Sequence, residues 1–167
     1  MAFSGSISTP ARPTFNASKN TPQGSNLNDV LAKGIPNLVS LLQMVLGWVA
    51  GPVAVTGDIS QFYNCVQLDP AHLPYQRFLF KKDLDPNAPI LEGVIRTLIY
   101  GVRSVAAQTE EVIALIADRV KADYPEVAGF LLNSRYVDDM AKALVNHPEA
   151  EKIMTGVDKV FKRTASK

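Results

Sequence analysis

The sequence predicts an α+β domain, an antiparallel sheet with helices packed on one of its faces. Two observations carry that prediction. The hydrophobic period changes repeatedly between the helical and the strand value, in the order helix, strand, hairpin, helix, strand pair, helix. Short β-branched runs bounded by Gly, Pro and Asp supply the strands, and the helical stretches between them are amphipathic.

Residues 1–26 are rich in Ser, Thr, Pro, Gly and Asn and show little periodicity, so they read as a flexible N-terminal segment ahead of a folded core at 27–167. Asn28 and Asp29 are placed to cap a short helix that runs to Lys33 and stops at Gly34. Pro36 occupies a first-turn position of the next helix. Leu38, Leu41, Leu42, Val45 and Trp48 give that helix one apolar face up to Gly51. Residues 52–58 change character, β-branched and ending in Gly57-Asp58, as a buried strand delivering a carboxylate would. Phe62, Tyr63, Val66 and Leu68 form a further extended or turn-rich piece.

Residues 77–81 and 90–100 flank a turn signal at Asp85-Pro86-Asn87-Ala88-Pro89 and are expected to pair as a hairpin. From Ser104 to about Asp123 the period is helical, with Val105, Val112, Leu115, Ile116, Arg119 and Val120 on one face and Glu110, Glu111 and Asp118 on the other. A shorter helix or turn comes next, over 125–132, then a tight β-hairpin over 134–145 around Tyr136-Val137-Asp138-Asp139. His147-Pro148-Glu149 opens a last amphipathic helix, with Ile153, Val157, Val160 and Phe161 facing inward.

A chain of 167 residues with 47% hydrophobic and 20% charged content can bury a core, which excludes global disorder. The net charge of +1 means that any positive surface must come from the distribution of charge and not from its total. Cys65 is the only cysteine, so no internal disulfide forms, and with His72 and His147 it hardly supplies a zinc site. A reducing interior is expected. The longest apolar stretch, 38–49, is interrupted by Ser40, Gln43 and Gly47, where a membrane span needs about 20 predominantly apolar residues. It reads as a buried helix of a soluble protein with no membrane partner, and no secretory signal opens the chain.

The chemistry gathers on Asp58, Asp138 and Asp139. Two adjacent carboxylates repel by several kcal/mol at low effective dielectric, about 332/(εr), and a divalent cation is what offsets such charge best. Hard oxygen ligands suit magnesium or manganese. Asp58 adds a third carboxylate from a separate strand end, the minimum for two ions about 3.5–4 Å apart acting in phosphoryl transfer. Taken singly, an Asp-Asp pair marks a turn, and Asp58 could cap the segment after Gly57.

Four motifs in order make the pattern specific. Tyr136-Val137-Asp138-Asp139 matches the Tyr-x-Asp-Asp signature of reverse transcriptases, and Asp58-Ile59-Ser60-Gln61-Phe62-Tyr63 matches their first palm motif. Residues 12–18 with 27–31 are similar to a fingers segment, and Ile99-Tyr100-Gly101-Val102-Arg103-Ser104 to the approach to the palm helix. From about Arg12 to its end the chain resembles the fingers and palm of reverse transcriptases of the Pao/BEL group of LTR retrotransposons.

The resemblance implies RNA-directed DNA synthesis by two-metal nucleotidyl transfer, with two Mg2+ (or Mn2+) ions, a deoxynucleoside triphosphate and an RNA/DNA primer–template. Asp58, Asp138 and Asp139 would be the catalytic metal ligands, with the backbone of Ile59 as a further metal ligand beside the triphosphate. Tyr63 would sit under the sugar, a core tyrosine being the alternative; Arg12 would lie over the nucleotide, where a planar cation is apt, a solvated loop arginine being the alternative. Tyr100 and Gly101 would shape the nucleotide and template pocket, an ordinary turn being the alternative. Tyr136, Arg103, Lys81, Lys82 and Arg96 would meet nucleic acid, with scattered surface charge as the alternative for the basic residues. Ser104 is followed by Val105-Ala106 where many relatives have Ser-Pro, so the turn into the helix forms without that proline.

On this reading the chain is a polyprotein fragment that stops before the thumb. Its partners would be the thumb, RNase H and integrase domains, its setting a cytoplasmic virus-like particle, and its activity alone weak or absent. Two other classes stand beside it: an inactive remnant or interaction module that keeps the palm fold, and a metal-dependent nuclease using the same acids.

Overall fold

The computed structural model describes residues 15–35, 39–82 and 85–165, leaving aside the side chains of 163–165. The expected first-turn proline Pro36, the apolar Leu38 and the nucleotide ligand Arg12 lie outside the described residues. The chain forms two compact units, each built from two separated stretches: Met1–Lys33 with Val66–Val105, and Gly34–Cys65 with Ala106–Lys167.

In the first unit, α1 (Leu27–Val30) is capped by Asn26, whose side chain accepts from the Asp29 N–H while the Asp29 carboxylate accepts from the Asn26 N–H. The cap therefore lies earlier than Asn28, and the helix is one turn long. Asn28 is released for a different task. Its amide donates to Ser18 Oγ and to the Gly101 carbonyl, and its Oδ1 accepts from the Arg103 N–H.

A 3₁₀ turn, Pro70–Gln76, leads into β2 (Arg77–Lys81), which pairs antiparallel with β3 (Ile90–Val94) in the expected hairpin. The second strand ends at Val94 and does not run on to Tyr100; the Ile95 N–H still donates to the Gln76 carbonyl, and Thr97 then forms an isolated bridge with Gln67. Gly93 lies under the Phe78 ring, which an added Cβ would meet at 2.6 Å. Phe78 also packs edge-on against Phe15, at 6.1 Å between ring centres.

In the second unit, β1 (Val53–Asp58), β5 (Asp139–Leu144) and β4 (Arg135–Tyr136) form a three-stranded antiparallel sheet in the order β1-β5-β4. Tyr136 pairs with Asp139, so the hairpin closes on a two-residue loop, Val137-Asp138, in keeping with the tight hairpin expected there. β1 is not fully buried: its residues alternate between half-buried and exposed. Val53, Val55 and Gly57 face α6 (His147–Ala165), where an added Gly57 Cβ would meet Met154 Cε at 3.2 Å. The opposite face carries Ala54, Thr56 and Asp58.

That second face is met by α2 (Leu41–Val49), which packs on β5. Helices thus lie on both faces of this sheet, a departure from the one-sided packing expected. Nor is α2 a buried helix: it has no buried residue, and Leu42 is 68% exposed. Its apolar residues run round the helix, so one strand cannot cover them.

The core sits under the other face. It is built from α6 (Ala150, Ile153, Val157, Val160), α5 (Pro125–Asn133), with Phe130 and Leu131 enclosed, and α4 (Val105–Val120). On α4 the inward residues are Thr109, Glu110, Ile113, Ile116, Ala117 and Val120, while Leu115 and Arg119 are exposed. Glu110 therefore belongs to the inner face, contrary to the amphipathic reading. Gly156 is required where α5 meets α6, because a Cβ there would lie 2.5 Å from Val127 Cγ2. Among the described residues no helix is long and apolar enough to cross a membrane.

Candidate functional site

Asp58 is the last residue of β1, and its ladder partner is Asp139, the first residue of β5. The Ile59 N–H donates to the Asp138 carbonyl at 3.0 Å. Hydrogen-bonded and open pairs alternate along an antiparallel ladder, so Asp58 and Asp139 form an open pair, with Cα atoms about 4.5 Å apart and side chains on one face. Tyr136 pairs with Asp139 from the other side. One row across the sheet therefore reads Tyr136, Asp139, Asp58. Both aspartates are exposed, and Asp138 is half-buried on the turn between them and Tyr136.

The row opens into a trough of about 480 Å3 lined by Thr56, Asp58, Asp139 and Ala141 from the sheet and by Met44 and Trp48 from α2. A larger hollow, about 640 Å3, lies beside α5 and α6, and its lining shares no residue with the acidic row. Lys152 and Glu126 are ion-paired there at 2.6 Å. Of the two, the smaller trough is the one that holds Asp58 and Asp139.

The turn is strained. Val137 has φ of 58°, a left-handed conformation that a β-branched residue rarely adopts. Arg135 holds it there: Nη1 donates to the Val137 carbonyl at 2.8 Å, and Nε donates to the Leu131 carbonyl at the end of α5. The same guanidinium makes a two-pronged ion pair with Glu110, at 2.7 Å for each prong. Arg135 is 3% exposed and Glu110 8%. Sequence reasoning gives neither residue a part in the site, although Glu110 shares an apolar helical spacing with Ala106, Ile113 and Ala117, which signals an inner position.

The three carboxylates offer hard oxygen donors, the chemistry that magnesium or manganese takes. Asp58 and Asp139 already stand as a pair. Among the described residues no group of three or more His, Cys, Asp or Glu is arranged to hold a metal ion. Ile59 uses its N–H on Asp138, and its carbonyl accepts from the Phe62 N–H at 3.2 Å. Tyr63, in α3 (Phe62–Cys65), is 7% exposed, the burial of a core tyrosine.

The remaining candidates belong to the first unit. Tyr100 is exposed, and Gly101 has φ of +87°, with its carbonyl held by Asn28. Arg103 Nη1 donates to the Asn28 carbonyl at 3.4 Å. Thus the described parts of the 12–18 and 27–31 segments meet the 99–104 segment around one asparagine. Lys81 donates to the Pro86 carbonyl, and Lys82 and Arg96 are exposed.

No family model matches the chain, and no curated protein matches it.

Proposed function

We propose that this chain is the fingers and palm of an RNA-directed DNA polymerase of the Pao/BEL kind, with nucleotidyl transfer centred on Asp58, Asp138 and Asp139. One observation carries the reading. The first palm motif and the Tyr-x-Asp-Asp motif, far apart in order, meet as neighbouring strands, with Asp58 directly opposite Asp139. A turn-forming Asp pair or a helix cap has no need of that partnership.

In this reading Asp58, Asp138 and Asp139 hold two magnesium or manganese ions. When bound, such ions favour ionisation of a primer hydroxyl and stabilise the charge of departing pyrophosphate. The chain's own residues orient and admit. Asp58 and Asp139 present oxygens side by side, and the Ile59–Asp138 backbone bond fixes the spacing of the two motifs. Met44 and Trp48 give the trough an apolar wall against which a base or sugar can lie. Asn28 sets Gly101 and Arg103, the segment assigned to the nucleotide and template. The partners are an RNA/DNA primer–template, a deoxynucleoside triphosphate and the other domains of the parent polyprotein, in a cytoplasmic particle.

A second reading, a module that keeps the fold without catalysis, is favoured by the absence of a ready three-acid cluster among the described residues. Primer extension on an RNA template with magnesium or manganese separates the two, using the chain, its parent polyprotein and Asp138→Asn in each. The expected result is metal-dependent synthesis by the parent, little by the chain, and none by either variant. Full synthesis by the Asp138→Asn parent would overturn the site, and shortening of a labelled duplex without nucleotides would indicate a nuclease.

A further inference from the structure

The geometry points to Arg135, clamped by Glu110, as the positioning residue that sets the Val137-Asp138 turn and so the reach of the paired carboxylates. For its consequence at the metal site, the inference rests on the nucleotidyl-transfer reading; for the backbone conformation it stands alone.

A buried ion pair is costly. Removing a guanidinium and a carboxylate from water costs several kcal/mol per ion, and well-packed apolar residues in their place are often as stable. Stability therefore does not account for a pair that is 3% and 8% exposed. What apolar residues cannot do is donate. Arg135 donates to the carboxylate of α4, to a carbonyl in the last turn of α5, and to the carbonyl of the hairpin loop. Glu110 fixes the plane of the guanidinium with two bonds, which aims the remaining Nη1 direction at Val137.

Val137 is the residue that needs such help. A β-branched side chain at φ of 58° is held only where its surroundings dictate it. Its backbone leads directly into Asp138, whose carbonyl receives the Ile59 N–H, one residue beyond Asp58. The chain of bonds thus runs Glu110, Arg135, Val137, Asp138, Ile59, and ends beside the first carboxylate. Direct hydrogen-bond partners of metal ligands are worth about 10–100-fold in metal affinity, and Arg135 acts on Asp138 through the carbonyl of the residue before it.

The test replaces the pair by apolar residues, Glu110→Leu with Arg135→Met, and uses Arg135→Lys as a second variant that keeps the charge and loses the fork. Three readouts are taken on the 167-residue chain: melting temperature, the backbone carbon shifts of Val137 and Asp138, and the Mn2+ dissociation constant. The expected outcome is a double variant that melts near the parent temperature, with Val137 shifted out of the left-handed region and Mn2+ binding about 10–100-fold weaker. Arg135→Lys is expected to move the same shifts. Unchanged Val137 and Asp138 shifts in whichever variant folds would overturn the inference. Parent protein whose Mn2+ binding ignores Asp58→Asn would contradict the polymerase site instead, and the carbon shifts would still decide the role of Arg135.

Discussion

Asp58 and Asp139 face each other as an open pair across the β1–β5 ladder, both exposed to solvent. Like charges directly opposite on neighbouring strands destabilise a sheet, by an amount on the scale of roughly 0.2–1 kcal/mol per cross-strand pair. The strand ends thus carry a cost whose relief has a measurable signature.

Asp58→Asn should raise the melting temperature in metal-free, low-salt buffer. A gain of about 0.5 kcal/mol corresponds to roughly 1–2 °C at this chain length. The gain should shrink as added salt screens the exposed pair. In Mg2+ the order should reverse, because only the parent is stabilised by binding. Melting curves of both proteins with and without Mg2+ check this, and a destabilised Asn variant in metal-free buffer would show that the carboxylates do not repel.

Val137 supplies a second expectation. Val137→Gly removes the penalty for a left-handed residue, about 1–2 kcal/mol, against a rise in unfolded-state freedom of about 0.5–1 kcal/mol. Denaturant unfolding should show a stability equal to the parent or up to about 1.5 kcal/mol higher. Val137→Pro, whose ring fixes φ near −65°, should lose more than about 1 kcal/mol. A tolerated proline would mean that the loop does not hold the conformation described.

Two helical glycines make opposite predictions. Gly156→Ala drives a methyl against Val127, 2.5 Å from Cγ2, and overpacking of this kind costs about 1–3 kcal/mol. Gly129 has no atom within 4 Å of an added Cβ, so Gly129→Ala should stabilise by about 0.5–1 kcal/mol. Combining Gly156→Ala with Val127→Ala should recover part of the loss, a coupling that a double-mutant cycle reads. Strict additivity would remove the proposed α5–α6 contact.

Legibility in the sequence depends on where the deciding interactions lie. β1 and the hairpin around Tyr136-Val137-Asp138-Asp139 can be read because a β-branched run with a Gly-Asp ending and a weak alternation are local, although the buried β1 expected is in fact half-exposed. The β2–β3 hairpin is legible for the same reason. The exposure of α2 is not: Leu41, Leu42, Val45 and Leu46 announce an apolar helix but say nothing of what covers it. Glu110 reads as outward by its charge, although its place among Ala106, Ile113 and Ala117 is an inner one, and its partner Arg135 lies on another element. The left-handed Val137 is invisible in the sequence, since local preference opposes it and a long-range hydrogen bond imposes it. The meeting of Asp58 with Asp139 is anticipated through chemistry, as carboxylates that share a cation, and through the resemblance of the two motifs, not through local pattern.

The most direct measurement uses Trp48, the single tryptophan, which lines the trough with Asp58 and Asp139. Mn2+ is paramagnetic and quenches a nearby indole. Titration of the chain should quench Trp48 fluorescence to a plateau, with Mg2+ reversing the effect by competition. Asp58→Asn and Asp139→Asn should each abolish the saturable phase while leaving the starting spectrum unchanged. Equal, saturable quenching in the parent and both variants would place the ion elsewhere and contradict the carboxylate site.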